Sequence, residues 1–257
     1  MESERTMEKE RAGTILFQQL REPHSFADWI EHREGFELLL SLIPDIAALQ
    51  KTSQNWYHRD DVWTHSLMVL RGVERLHDRA FLAFGDHAPS LSLLFREGLD
   101  ENMTRYGGLR FTALLHDLGK PEAREEKEGR ITFIEHERIG AEKMGPIGQA
   151  LRLTEREQDY MEKLILNHLR PLMLGELQEL SNRSVNRLLR AIGGYLPDLV
   201  VLSWADVEAT CGTQSNADRK QQHHRFVLSL LQCYEHDILF SSTNQYSDWA
   251  EKRPENS

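Results

Sequence analysis

Apolar residues recur at three- and four-residue spacing along almost the whole chain, and strand-like alternation is nearly absent. This periodicity predicts an all-α fold, a helical bundle. Helices are expected at roughly 13–21, 25–32, 35–41, 61–77, 90–98, 108–118, 137–150, 155–169, 182–192, 197–210 and 217–237. Punctuation supports them: Ser181 or Asn182 can cap NRSVNRLLRAI, Gly193-Gly194 stops it, and Pro197 stands where a first-turn proline is tolerated. One stretch departs from helix. EGRITFIEHE predicts a short hairpin-like loop near 128–135 between two helices. Residues 1–12 and 241–257 are polar and read as solvated ends.

Among these helices, several polar residues sit on apolar stripes. Val62, His65, Val69 and Leu76 share one face, so His65 points inward. In GLRFTALLHDLGKP, Leu109, Ala113 and His116 align, with Asp117 about 100° further round. Met161, Leu164 or Ile165, and His168 share a face. Leu199, Leu202, Asp206 and Ala209 or Thr210 do the same, which puts a carboxylate in the middle of an apolar stripe. A single inward histidine is usually a satisfied core residue, and an inward aspartate usually a structural acceptor. Their accumulation on separate helices points instead to a shared cation, because an unpaired buried carboxylate is costly and bundles build metal sites from convergent histidines and carboxylates.

Composition removes several classes. No apolar run approaches the roughly 18–20 residues that span a bilayer, and the start MESERTMEKERAG is acidic where an export signal is basic and then greasy, so a cytoplasmic protein without membrane contact is expected. Cys211 and Cys233 are too few for a zinc knuckle or a disulfide framework. A formal net charge of −10 argues against an extended nucleic-acid surface and for a small or singly engaged substrate. No Gly-rich phosphate loop is present.

A first His, then His-Asp, then a distant Asp is the pattern of the HD superfamily of metal-dependent phosphohydrolases. The order HDLGKP, EGRITFIEHERIGAEKM, LILNHLRPLML, SNRSVNRLLRAIGG and LPDLVVLSWADV resembles the HD region of bacterial tRNA nucleotidyltransferases (CCA-adding enzymes), without the nucleotidyltransferase head. The likeness covers roughly residues 12–212 and implies an N-terminal helical segment over 13–57 packed on an HD domain over 58–240. The stretch 77–107 reads as an insertion, a lid or specificity element.

By resemblance His65, His116, Asp117 and Asp206 are metal ligands. His136 and His168 stand where some members place ligands to a second metal and others place phosphate-facing groups; exposure at a loop end is the plain alternative for His136. Imidazole with carboxylate suits one or two divalent ions, Mn, Mg, Fe, Co or Ni, and lacks the thiolates of structural zinc. Lys120 is expected on the phosphoryl group, the alternative being a solvated lysine at a helix end. Asp117 would orient the attacking water and His136 or His168 protonate the leaving oxygen. Arg170 and Arg183 or Arg187 are candidate phosphate contacts, surface ion pairs being the alternative; His58 and Asp61 are supports of the site or a plain helix cap. The expected substrate is a small phosphorylated molecule, a nucleotide or an RNA end, with 2′,3′-cyclic phosphates the class suggested most directly. Two rivals share the ligand set: a di-iron oxygenase, and a nucleotide-binding regulatory module without turnover.

Overall fold

The computed structural model describes residues 2–22, 25–54, 60–177, 181–210 and 214–240. Fourteen α-helices are described: α1 Glu2–Arg21, α2 Phe26–Glu31, α3 Arg33–Leu42, α4 Ile46–Leu49, α5 Val62–Phe84, α6 Ala88–Arg96, α7 Arg105–Leu115, α8 Lys120–Ala123, α9 His136–Leu151, α10 Glu155–Asn167, α11 Arg170–Gly175, α12 Asn182–Ile192, α13 Leu196–Ala209 and α14 Gln214–Phe240. Two short antiparallel strands, β1 Arg124–Lys127 and β2 Arg130–Phe133, form a hairpin between α8 and α9. The all-α expectation holds, and the hairpin falls where the sequence breaks helical phase. His58, Cys211 and the tail 241–257 lie outside the described residues.

The core is built from α5, α7, α10 and α13, with α9 packed on α10 and α14 packed on α13. α7 is buried along its whole length, from Arg105 to Leu115, so the guanidiniums of Arg105 and Arg110 must find their partners inside the bundle. α5 and α13 approach closely at Gly72, where an added Cβ would stand 3.1 Å from the Ala205 Cβ. That contact brings His65 on α5 alongside Asp206 on α13.

Several helices differ from their expected bounds. α1 starts at Glu2, not near 13, because ESERTMEKER is rich in good helix formers. Its C-terminal end is held by Arg110 of α7, wholly buried, which donates from Nη2 to the carbonyls of Leu20 (2.6 Å) and Glu22 (3.1 Å). α5 runs on to Phe84 through a kink at Arg79 (φ −127°, ψ 21°). The short α4, α8 and α11 were not foreseen; four to six residues are too few for periodicity to register.

The stretch 77–107, expected as an insertion forming a lid or a specificity element, packs onto the bundle. It comprises the end of α5, the turn Gly85–His87, α6 and an isolated bridge between Gly98 and Thr104. α6 packs on α5 and α7, with Phe95 and His77 both against Tyr106 near the start of α7 (ring centroids 5.8 and 4.7 Å). His65 lies in the first turn of α5, and the rise per residue puts Phe84 roughly 28 Å along the axis from it. The segment covers the far end of the bundle.

On α14, His223 is buried (2% exposed) with Nε2 3.2 Å from Ser203 Oγ. Burial pulls its pKa down to about 4, against the hydrogen bond to the Ser203 backbone. The unfolded chain therefore binds more protons than the native state between about pH 6.5 and 4, and this imidazole withdraws as much as roughly 3 kcal/mol of stability as pH falls through that window. Urea melts at pH 7 and 5 on the wild type and His223→Gln test this. The variant should lose less stability on acidification.

Candidate metal centre

Three helix ends converge on one point. His116 caps α7 and His168 caps α10, while Asp206 stands in the last turn of α13. The C-terminal ends of helices carry partial negative charge, so this arrangement favours a cation. His65 enters from the first turn of α5 and His136 is the first residue of α9. Asp117 lies in the turn after α7, between both groups of histidines.

The geometry is close. His65 Nε2 is 2.9 Å from Asp206 Oδ1 and 3.7 Å from Asp117 Oδ2. His116 Nε2 is 3.2 Å from Asp117 Oδ2 and 3.8 Å from Asp206 Oδ1. The other Asp117 oxygen, Oδ1, faces His136 Nε2 at 3.2 Å and His168 Nε2 at 3.8 Å, and those two nitrogens are 3.3 Å apart. Ligand-type atoms in each of three triads, His65-His116-Asp117, His116-His168-Asp206 and Asp117-His136-His168, lie within 4.8 Å of one another.

The histidines are aimed by their own backbone. Nδ1 of His116, His136 and His168 sits 2.8, 2.8 and 2.6 Å from the carbonyl oxygens of Ala113, Phe133 and Ile165, each three residues earlier. Donation from Nδ1 leaves the Nε2 lone pair pointing into the cluster, as a metal-ligating imidazole requires. The fully buried His116 Nε2 has no hydrogen-bond partner among the described residues. An orphaned lone pair facing two carboxylates is what a divalent cation would satisfy. The donor set fits such an ion.

Electrostatics agree. Burial raises the Asp117 carboxyl, yet His116 and Lys120 overcome it and hold that group well below the carboxylate range. Asp206 is likewise depressed, burial being outweighed by His65 and His116. Burial, then His116 and His136, drive His168 down to about 3, so it presents a neutral ring. His116 moves the other way: burial opposes its charge, but Asp117 raises its pKa.

Lys120 is not solvated. It is 7% exposed, and its Nζ stands 2.7 Å from Asp117 Oδ2 and donates to Gln54 Oε1 at 2.7 Å. His136 is also buried, at 5%, so its loop-end position does not expose it. Gly119 makes this packing possible: a Cβ there would meet the His136 carbonyl oxygen at 2.1 Å and the Gly140 nitrogen at 2.6 Å. Gly119→Ala should push α9 away from the His-Asp turn and lower metal stoichiometry, measurable by elemental analysis of the purified variant.

Two neighbours escaped the sequence reading. Gln54 precedes α5 and carries no local signal; only the fold brings it to Lys120. Phe133 ends the hairpin, offers its carbonyl to His136 and places its ring 5.4 Å from Lys120 Nζ. Among weaker candidates, Arg170 is half-buried and bonds Asn167 Oδ1 at 2.7 Å. Arg183 and Arg187 are exposed on α12, outside the cluster, and neither forms a surface ion pair, the alternative for them, with another of the described residues. Asp61 is a helix cap, accepting the Thr64 N–H at 2.7 Å.

A helical bundle whose convergent histidines and aspartates could hold a divalent metal is the class that fold and site define. The chain belongs to the HD domain family, whose model matches residues 62–207, and that family forms a superfamily of metal-dependent phosphohydrolases. It is 32% identical over 209 residues to the A-adding tRNA nucleotidyltransferase of Deinococcus radiodurans, covering 80% of this chain and 41% of that protein. It is 26% identical over 195 residues to the bifunctional uridylyltransferase/uridylyl-removing enzyme of Acinetobacter baumannii, covering 74% of this chain and 20% of that one. The namesake from Acinetobacter baylyi is 23% identical over 234 residues, covering 90% and 24%. The chain thus spans well under half the length of these relatives.

Proposed function

We propose that this chain is a divalent-metal-dependent phosphohydrolase acting on nucleotide-like phosphoesters, with 2′,3′-cyclic phosphates as the substrate class. The observation that carries the reading is the convergence of three backbone-aimed imidazoles with His65, Asp117 and Asp206 around a buried lone pair. His65, His116, Asp117 and Asp206 would hold one ion; His136 and His168, with the second oxygen of Asp117, would hold another or face the phosphate. A bound divalent ion supplies Lewis acidity to the phosphoryl oxygens and lowers the pKa of water towards about 7.

The protein's own groups do the rest. Asp117 accepts a hydrogen bond from the attacking water and orients it. Lys120, already drawn to that carboxylate, places its ammonium against the phosphoryl oxygens as charge builds. Water oxygen bonds to phosphorus while the proton it gives up passes to the His136 Nε2 lone pair, one ring P–O bond breaks, and His136 hands that proton to the departing alkoxide. His168, held neutral, suits that task less well.

Protein stripped with EDTA should lose hydrolysis of 2′,3′-cyclic nucleotides and regain it with Mn, Mg, Co or Ni, while His116→Ala regains nothing. Failure of every metal on cyclic and monoester substrates, with wild type and His116→Ala indistinguishable, sinks the reading. The sharing of Asp117 between two histidine groups also favours a dinuclear oxygenase. Two tightly held irons per chain, with oxygen consumption, would select that one.

A further inference from the structure

We propose that Arg170, Arg187, Arg183 and Arg190 form a rail for phosphates beyond the one hydrolysed, so that the substrate is the end of a single-stranded polynucleotide; this rests on the phosphohydrolase reading above. The rail starts at the site. Arg170 is two residues past His168 and opens α11, and α12 packs against both α10 and α11.

α12 turns Val185, Leu188 and Ile192 into the core and exposes Arg183, Arg187 and Arg190 on its opposite side. These three follow at four and three residues, a line spanning roughly 10 Å. Residues 181–192 contain no acidic side chain, in a chain of net charge −10. None of the four arginines has a carboxylate within ion-pair distance among the described residues.

Arg170 adds the second observation. Its guanidinium is half-buried, is held by Asn167 Oδ1 at 2.7 Å, and has the positive charge of Arg187 as its neighbour. Two like charges kept together without a carboxylate are unfavourable until an anion arrives, and guanidinium is the cation best suited to phosphate. Charges spaced along a line match phosphates along a strand better than a compact polyphosphate does. Guanidinium planes also offer bases a stacking surface. A stripe of this length is far short of the extended nucleic-acid surface that the overall charge argues against.

The test compares a short synthetic RNA ending in a 2′,3′-cyclic phosphate with the cyclic mononucleotide, at several salt concentrations. The wild type should prefer the RNA by at least about tenfold in kcat/KM at low salt. Its log kcat/KM should fall against log salt with a slope near −2, the value for about three phosphate contacts on a single strand, the neighbouring Arg170 and Arg187 sharing one. Arg183→Gln/Arg190→Gln should reduce the slope to about −0.7 and the preference by about tenfold. Fluorescence anisotropy of the same RNA on His116→Ala protein, with and without the two arginine changes, reads binding apart from turnover. RNA binding that is salt-dependent and lost in the arginine variant supports the rail even if no ester is hydrolysed. Hydrolysis of the mononucleotide with no RNA preference, an arginine variant like the wild type, or equal competition by a nucleoside diphosphate overturns the rail and leaves the phosphohydrolase reading standing.

Discussion

Asp117→Asn should bring both metal content and phosphoester hydrolysis to background. The carboxylate reaches His65, His116 and Lys120 through Oδ2 and His136 and His168 through Oδ1. Asparagine preserves the shape but carries no charge, and its amide nitrogen cannot accept on one of those two sides. Loss of the ion removes several kcal/mol of transition-state stabilisation, so a drop of roughly 10³-fold or more is expected. Elemental analysis and a rate on a 2′,3′-cyclic nucleotide measure the two consequences separately. Wild-type metal stoichiometry together with a wild-type rate would exclude Asp117 from the centre. The change also leaves the Lys120 ammonium buried beside Gln54 with its charge partner gone, so the metal-free variant should melt below the metal-free wild type.

Asp198→Asn should produce the largest loss of stability without touching the centre. Asp198 is fully buried on α13, accepts from Tyr160 Oη of α10 at 2.8 Å, and forms a two-point ion pair with Arg105 of α7. Arg105 also donates from Nη2 to the Gly194 carbonyl at 2.9 Å. Removing the negative charge leaves the buried guanidinium only the exposed Glu97 carboxylate, 3.4 Å from Nη1, as a charge partner among the described residues, which costs about 3–5 kcal/mol. For a chain of this size that lowers Tm by roughly 6–20 °C. Thermal melts would show it. A smaller loss in Arg105→Met/Asp198→Leu than in the single change would identify stranded charge, not lost contacts, as the cause.

The position of this network makes the prediction selective. Arg105, Tyr160 and Asp198 precede His116, His168 and Asp206 by eight to eleven residues on the same three helices, about 12–16 Å along each axis. The helices are pinned at one end and present ligands at the other. Well below its lowered Tm, Asp198→Asn should therefore keep wild-type metal stoichiometry.

Much of this was legible in the chain. Helical phase placed His65, His116, His168 and Asp206 inward, and each is turned into the bundle. Lys120 and His136 were harder. Both stand at element ends, where period says nothing about burial, and solvated alternatives were reasonable for each; they are buried because α8 and α9 close on one another at Gly119. For the stretch 77–107, a lid or a specificity element rested on length alone, since nothing else could be read there. Its helix packs on the opposite end of α5.

The longer helices, their inward faces and the break at the hairpin are written in the chain, because these follow from local periodicity, caps and breakers within one segment. The sequence also determined which residue types could meet. Tertiary structure decided that they do meet, which oxygen of Asp117 serves which histidines, and that Gln54 and Phe133 stand beside Lys120. The reason is that contacts between elements join residues from about a dozen positions apart, as for Lys120 and Phe133, to 141, as for His65 and Asp206, and no short-range period encodes the angle at which two helices cross.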